Sequence, residues 1–183
     1  IHILRNGVDS VLSLNDLSSR YGGGVTDSRM RHIAGVRVSQ MRLRQYPYYA
    51  GEFLRRLLPE RLAGPREWGP RFPGIRAMLR ERGRLETSAV QWRMCVELAC
   101  GFGRSLPADR YLECRLEDMS VQLVQSIMRF CGLPEDSAVT GFVVREFDQS
   151  MPGTRRANAE PADIERIRPW IASTMAWLGY AME

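Results

Sequence analysis

The chain contains no lysine: all 26 of its basic residues are arginine, set against 21 acidic residues, for a net charge of +5. Each cationic side chain is therefore a planar fork of donors that stays charged at physiological pH. No apolar run reaches the roughly 18 residues of a membrane-spanning helix, so we expect no membrane span. The cysteines form no CxxC pair, and we expect buried thiols and a reducing, cytoplasmic environment for Cys95, Cys100, Cys114 and Cys131.

A glycine-rich phosphate loop is also missing from the sequence. The one glycine cluster, YGGGVTDS at positions 21–28, follows a helical pattern and has no lysine, so we interpret it as a connector. The chain starts without methionine inside a strand pattern, and we expect the amino-terminal part of the domain to be missing. The 183 residues, 44% of them hydrophobic, are enough for a single domain over 1–183.

The sequence does contain a strand, a turn and a helix start in IHILRNGVDSVLSL at positions 1–14. The apolar run of Ile1, Ile3 and Leu4 is typical of a buried parallel strand, and Gly7 allows a turn. Arg5 lies at the carboxyl end of the predicted strand, where open α/β sheets bind ligands and helix N-termini attract anions. Arg5 and a serine of the next helix turn, Ser13, can both donate to a phosphate or sulfate. Alternatively, Arg5 is a surface side chain and the serine bonds to its own helix.

The order Arg5, Asp9, Ser13 within this pattern resembles the segment of sulfotransferases that holds the 3′-phosphate of the donor, 3′-phosphoadenosine 5′-phosphosulfate (PAPS). The resemblance implies that Arg5 and Ser13 hold this phosphate. A second landmark, RYLECRLEDM at positions 110–119, is similar to the family's strand before a Tyr-Glu-Asp-Leu or Tyr-Glu-Asp-Met run. Leu116 replaces the tyrosine that contacts the donor adenine in many members, so any adenine contact there is apolar packing.

An acidic pair, Glu117 and Asp118, follows the second predicted strand, which covers positions 111–115. We interpret both carboxylates as caps of the first turn of the following helix, with a catalytic role as the alternative. The segment FCGLP at 130–134 resembles the family's Phe-Leu-Gly-Leu-Pro, and Gly132 predicts the end of that helix. The apolar residues that recur along it are Met119, Leu123, Ile127 and Cys131.

The third landmark is a basic loop, SMPGTRRANAEPAD at positions 150–163, which precedes the last predicted helix. Pro161 is suited to the first turn of that helix. In sulfotransferases a loop at this place returns to the 3′-phosphate. The resemblance therefore implies donor contacts from Gly153, Thr154, Arg155 and Arg156, and it does not decide which arginine faces the ligand. The alternative is a solvated basic loop. The inward positions predicted for the last helix are Ile164, Ile167, Ile171, Met175 and Leu178.

Two further stretches are predicted to build the interior. WGPRFPG at 68–74 resembles a stretch of bacterial-type sulfotransferases, and Trp68 and Phe72 either anchor that loop or line an acceptor cleft. A helix over 87–102 carries Trp92, and we expect its apolar residues to lie in the core: Trp92, Met94, Cys95, Leu98 and Phe102.

The resemblance implies an α/β, P-loop-NTPase-like sulfotransferase fold: a small parallel sheet flanked by helices. It also implies transfer of a sulfuryl group from PAPS to a hydroxyl or amine of a small molecule, glycan, lipid or peptide, with no metal. The phosphosulfate loop and the catalytic base are expected before Ile1, so the chain alone should be inactive. We interpret His2 as a packed histidine rather than as that base. His32 has no assigned role beyond a possible acceptor contact.

Two other function classes fit parts of the sequence. A P-loop-type kinase fragment shares the α/β plan and the anion chemistry, but it needs a phosphate loop that is not in this chain. Arginines are dense over 29–44 and 55–84, which also fits a nucleic-acid-binding module. The helix-turn-helix, zinc and aromatic-sheet signatures of such modules are missing, and a solvated helix face explains the same pattern, so no specific nucleic-acid partner is expected.

Overall fold

The structure is a computed structural model that describes residues 1–22, 42–47, 50–51, 54, 58, 62, 69–147 and 153–182. His32, Trp68 and part of each arginine-rich stretch lie outside the described residues, as does the glycine cluster after Gly22. The helices and strands are β1 (His2–Leu4), α1 (Gly7–Gly22), a 3-10 turn (Leu43–Gln45), α2 (Ile75–Glu81), α3 (Arg84–Gly103), β2 (Glu113–Arg115), a second 3-10 turn (Leu116–Asp118), α4 (Val121–Phe130), α5 (Ser137–Glu146), α6 (Thr154–Ala157) and α7 (Pro161–Trp177).

The two strands pair in parallel and α3 packs against β1, so the coarse α/β class and the small parallel sheet are confirmed. His2 pairs with Glu113 and Leu4 with Arg115. The prediction of a fully buried first strand was wrong, because Ile1 and Ile3 are 51% and 49% exposed and only Leu4 is buried. Side chains alternate along a strand, so the helices that cover Leu4 leave Ile3 on the opposite face.

The core lies where α1, α3 and α7 pack against one another beside β1. Gly7 opens α1 at their closest approach: a Cβ there would lie 2.7 Å from the Trp92 ring and 2.8 Å from Met175 Sδ. Its φ is not positive, so packing space rather than a turn requires glycine at this position. The buried core residues are Leu4, Val8, Val11, Leu85, Ala89, Trp92, Val96, Cys100, Ile167, Ile171, Met175 and Leu178.

The apolar face predicted for the tryptophan helix was partly wrong. Trp92 is in the core as predicted, but Leu98 and Phe102 are each 69% exposed, Met94 is half-buried and Cys95 is exposed. The helix buries instead the row of Trp92, Val96 and Cys100, because four-residue spacing places these residues on one side. The expectation of buried thiols holds for Cys100 and Cys114 and was wrong for Cys95 and Cys131.

The predicted end of α4 and the predicted start of α7 are confirmed, whereas the cap of α4 is Ser120 and not the predicted carboxylates. Ser120 caps α4 by accepting from the Leu123 N–H at 3.2 Å, and Gly132 follows the helix in the left-handed region with φ +67°. The Leu133 N–H then reaches the Met128 carbonyl at 2.9 Å, which completes the expected glycine-terminated motif. Pro161 opens α7, whose buried residues include the predicted Ile167, Ile171 and Met175.

The described part of the 68–74 stretch is tied to α3, because Gln91 Nε2 donates to the Pro70 carbonyl at 2.8 Å and Phe72 is half-buried. These contacts favour the anchoring interpretation of this loop. None of the described helices combines the length and the apolar character that crossing a bilayer requires.

Candidate anion-binding site

The turn between β1 and α1 is held by Asn6, which is almost completely buried. Asn6 Oδ1 accepts from the Val8 N–H at 2.9 Å, and the Asn6 carbonyl accepts from the Ser10 N–H at 3.0 Å. Asn6 thus caps α1: its side chain satisfies one of the free N–H groups, and its carbonyl accepts the first bond within the helix. The backbone is therefore fixed at the point where Arg5 leaves the carboxyl end of the sheet.

Glu117 fixes the same turn from the other strand. Its Oε1 accepts from the Asn6 N–H at 2.7 Å, and its Oε2 accepts from the Tyr180 hydroxyl at 2.9 Å. Burial and the bond to Glu117 raise the pKa of Tyr180, so this tyrosine stays a donor. The predicted capping role was wrong in its target: Glu117 and Asp118 lie in a 3-10 turn before α4, whose cap is Ser120. Glu117 therefore has the structural role that we expected, but it holds the turn before α1 instead of the start of α4.

Asp9 connects the β1–α1 turn to the basic loop. It is fully buried in the first turn of α1, and its Oδ1 accepts from the Arg156 backbone N–H at 2.8 Å. Gly153 opens the short helix α6 with φ +91°, a conformation that favours glycine. Asp9, which lies between Arg5 and Ser13 in the sequence, therefore holds α6 against α1. The sequence signal for this role was an acidic residue in the first turn of the helix.

The structure brings together four of the six residues predicted to contact the donor. Arg5, Ser13, Thr154 and Arg155 line one cavity of about 550 Å³. Arg156 and Gly153 do not line it, and Arg156 contributes its backbone N–H to Asp9 instead. The remaining lining residues, which sequence reasoning did not assign to the site, are Leu12, Asp16, Asn158, Ala159, Glu160 and Asp163.

The cavity mixes both signs of charge. Arg155 forms an ion pair with Asp16, and Asp163 accepts from Arg166 at 3.3 Å. Arg5 differs from Arg155, because its Nε is buried and has no hydrogen-bond partner within the described part of the chain. Arg155 is therefore committed to a carboxylate, whereas Arg5 keeps a buried donor for a further acceptor.

Three polar atoms of the β1–α1 turn share this property. Arg5 Nε, Asn6 Nδ2 and Asp9 Oδ2 are buried and make no hydrogen bond to any residue that the structure describes. Buried polar groups in proteins are nearly always paired, and exceptions cluster where a ligand, an ion or water completes the site. The turn therefore offers two unpaired donors beside the start of a helix, whose dipole favours negative charge.

His2 is half-buried at the opposite end of β1 from Arg5, where its Nδ1 lies 2.8 Å from the Tyr111 hydroxyl oxygen. It is packed, as predicted, and its partner is the Tyr111 side chain.

Comparisons of the chain with protein-family models, with curated proteins and with solved structures found no match.

Proposed function

We propose that this chain is part of a PAPS-dependent sulfotransferase with a P-loop-NTPase-like fold and that it supplies the half of the donor site that binds the 3′-phosphate. One observation carries the proposal. Arg5 and Ser13, from the amino end, and Thr154 and Arg155, from the late basic loop, line a single cavity. These are the two segments that the family resemblance assigns to one phosphate, although they lie far apart along the chain.

Arg5 would supply the main contact to the phosphate. Its guanidinium forms a planar fork that matches phosphate oxygens, and its buried Nε has no partner among the described residues. Ser13 adds a hydroxyl donor of adjustable direction. The start of α1 adds a favourable dipole, because Arg5 directly precedes the Asn6 cap.

Arg155 would join the site only by exchanging partners. Its ion pair with Asp16 occupies the guanidinium, so a bound phosphate has to share Arg155 with that carboxylate or displace it. Both side chains are partly exposed, and an ion pair of this kind contributes up to about 1 kcal/mol. A doubly charged phosphate that also contacts Arg5 can overcome an interaction of that size.

In this proposal the cavity positions the donor, and the chemistry takes place at the donor's other end. Holding the 3′-phosphate fixes the distance and the line along which the sulfuryl group passes to an acceptor hydroxyl or amine. The acceptor class, whether small molecule, glycan, lipid or peptide, stays open. The base that removes the acceptor proton is not assigned to a carboxylate of the cavity, because the cavity holds the donor's 3′-phosphate and not its reacting end.

The test is calorimetric binding of 3′-phosphoadenosine 5′-phosphate, which is the donor without its sulfuryl group, compared with adenosine 5′-phosphate. We expect Arg5→Ala to weaken binding of the bisphosphate by roughly tenfold to a hundredfold, since a charge-assisted contact contributes about 1.5–3 kcal/mol. Arg5→Lys should restore only part of the affinity, because an ammonium cannot form the fork. Arg168→Ala, at an exposed arginine outside the cavity, is the matched control.

Four outcomes would contradict the proposal. The first is unchanged affinity in a folded Arg5→Ala protein, and the second is no discrimination between the two nucleotides by the wild type. The third is binding that depends steeply on salt and favours oligonucleotides, which would support the nucleic-acid-binding alternative. A preference for adenosine triphosphate would point to the kinase alternative.

A further inference from the structure

A second cluster of reactive side chains lies at the amino end of the sheet, away from the anion cavity. The parallel register pairs His2 with Glu113, and Cys100 faces β1 from the buried row of α3. His2 Nδ1 lies 3.7 Å from Cys100 Sγ and 2.8 Å from the Tyr111 hydroxyl oxygen. The Tyr111 hydroxyl in turn donates to Glu113 Oε2 at 2.9 Å. An imidazole, a thiol and a carboxylate thus converge from three elements.

The spacing of these atoms fits a small cation. His2 Nδ1, Cys100 Sγ and a Glu113 carboxylate oxygen all lie within 4.8 Å of one another. Tetrahedral Zn²⁺ has bonds of about 2.0–2.3 Å, which place its ligand atoms about 3.3–3.8 Å apart. The distance of 3.7 Å between His2 Nδ1 and Cys100 Sγ already lies in this range. A shift of the Glu113 carboxylate by about an ångström or less would therefore complete the geometry.

We propose that His2, Cys100 and Glu113 form a binding site for a thiophilic divalent cation of the Zn²⁺ type. The cation would bind His2 Nδ1, the Cys100 thiolate and Glu113 Oε2, with the Tyr111 hydroxyl or one water as fourth ligand. Binding releases the Cys100 thiol proton to solvent, and the thiolate and carboxylate then balance the two charges of the ion. His2 exchanges its contact with Tyr111 for the metal bond.

Arg104 supports this geometry from outside the ligand set. Its guanidinium holds the Glu113 carboxylate through both oxygens, at 2.6 Å to Oε1 and 3.0 Å to Oε2. Ligating carboxylates are commonly oriented by such outer hydrogen bonds. The Tyr111 hydroxyl donates to Oε2, so Oε2 is the oxygen that faces Tyr111 and the rest of the cluster, and the shorter Arg104 contact is to Oε1. The positive charge of Arg104 also opposes a cation, so we expect moderate rather than very tight affinity.

The protonation states of two ligands suit a metal in advance. Burial lowers the pKa of His2, which favours the neutral imidazole, and the bonds from Arg104 lower the pKa of Glu113, which favours the carboxylate. Burial raises the pKa of the Cys100 thiol, so the cation has to displace that proton. Calorimetry in buffers of different ionisation enthalpy should therefore record release of about one proton per bound ion.

The experiment uses Zn²⁺ and Co²⁺ as probes. Native mass spectrometry should show one Zn²⁺ per chain, and Co²⁺ should give a thiolate-to-cobalt charge-transfer band with the visible bands of a tetrahedral site. Cys100→Ser should abolish the charge-transfer band, whereas Cys95→Ser and Cys131→Ser, at exposed thiols, should keep it. His2→Gln, at a half-buried position, should weaken Zn²⁺ binding at least tenfold in a folded protein verified by circular dichroism.

The inference is overturned if the wild-type protein binds no Zn²⁺ at micromolar concentration. The three side chains would then form only a hydrogen-bonded cluster. It is equally overturned by a band that persists in Cys100→Ser or that disappears only in Cys95→Ser or Cys131→Ser. None of these results depends on the nucleotide, because the cluster and the anion cavity share no residue. Nucleotide binding by Cys100→Ser should match the wild type, so the two proposals fail independently.

Discussion

Removing the Asp9 carboxylate should both destabilise the protein and loosen the anion cavity. Asp9 is fully buried, and its Oδ1 accepts the Arg156 N–H at 2.8 Å. A hydrogen bond to a charged group contributes about 1.5–3 kcal/mol, and a carboxylate in the first helical turn adds about 0.3–1 kcal/mol. The buried Oδ2 has no partner among the described residues, which offsets part of this gain. We therefore expect Asp9→Ala to cost about 2–3 kcal/mol.

Urea unfolding followed by circular dichroism measures this loss directly. With a slope of about 1–3 kcal/mol per molar urea, Asp9→Ala should lower the unfolding midpoint by roughly 0.7–3 M. Asp9→Asn keeps an acceptor oxygen for Arg156 and loses only the charge, so it should cost about half as much. Asp118→Ala, at an exposed carboxylate of the second 3-10 turn, is the matched control and should change stability little.

The same variants separate the local bond from its effect on the cavity. Without Asp9, α6 loses its backbone connection to α1 and keeps the ion pair of Arg155 with Asp16, so Thr154 and Arg155 are held less firmly opposite Arg5. Affinity for 3′-phosphoadenosine 5′-phosphate should then fall more in Asp9→Ala than in Asp9→Asn. A cost below about 1 kcal/mol for Asp9→Ala would refute the reasoning, because the bond to Arg156 would then contribute little. Equal costs for the two variants would also refute it, because the acceptor oxygen kept in Asp9→Asn would then make no difference.

Three further predictions concern the cavity, the core and the sheet. Asp16→Asn should tighten 3′-phosphate binding by about twofold to fivefold in calorimetry, because it frees Arg155 from a partly exposed ion pair. Weaker binding by this variant would contradict the prediction. Gly7→Ala should cost about 1–3 kcal/mol in urea unfolding through overpacking, whereas Gly101→Ala, with open space around it, should not destabilise. Arg104 lowers the pKa of Glu113 below its usual 4.5, so stability from Glu113 is present above pH 4.5 and is lost as the pH falls below it. A Glu113→Gln variant with the same unfolding profile across that range would contradict the last prediction.

The elements that could be predicted are those with strong local signals. The β1–α1 segment shows an apolar run followed by helical spacing, and Gly132 and Pro161 mark a helix end and a helix start. These signals act within a few residues, so neighbours along the chain are sufficient to decide them. The same segment also made Arg5 and Ser13 candidates for an anion site, because it places a guanidinium and a hydroxyl, both hydrogen-bond donors, near the carboxyl end of a strand.

The faces that become buried could not be decided in this way. Periodicity groups the apolar residues of α3 by side, but it does not show which side another helix will cover. Cys100 is buried while Leu98 and Phe102 are exposed, because α1 and α7 pack on the Trp92 row. Cys95 and Cys131 are exposed for the same reason, although their sequence surroundings are as apolar as those of the buried thiols.

The partners of charged groups depend even more on tertiary structure. The sequence alone determined which side chains can bind an anion, since that capacity belongs to the residue type and to its place beside a strand end. Only the fold decided that Glu117 bonds to Asn6, that Asp9 holds Arg156, and that Arg155 faces the cavity. These partners are far apart along the chain, and a hydrogen bond requires an approach of about 3 Å, which only the packing of the helices on the sheet provides.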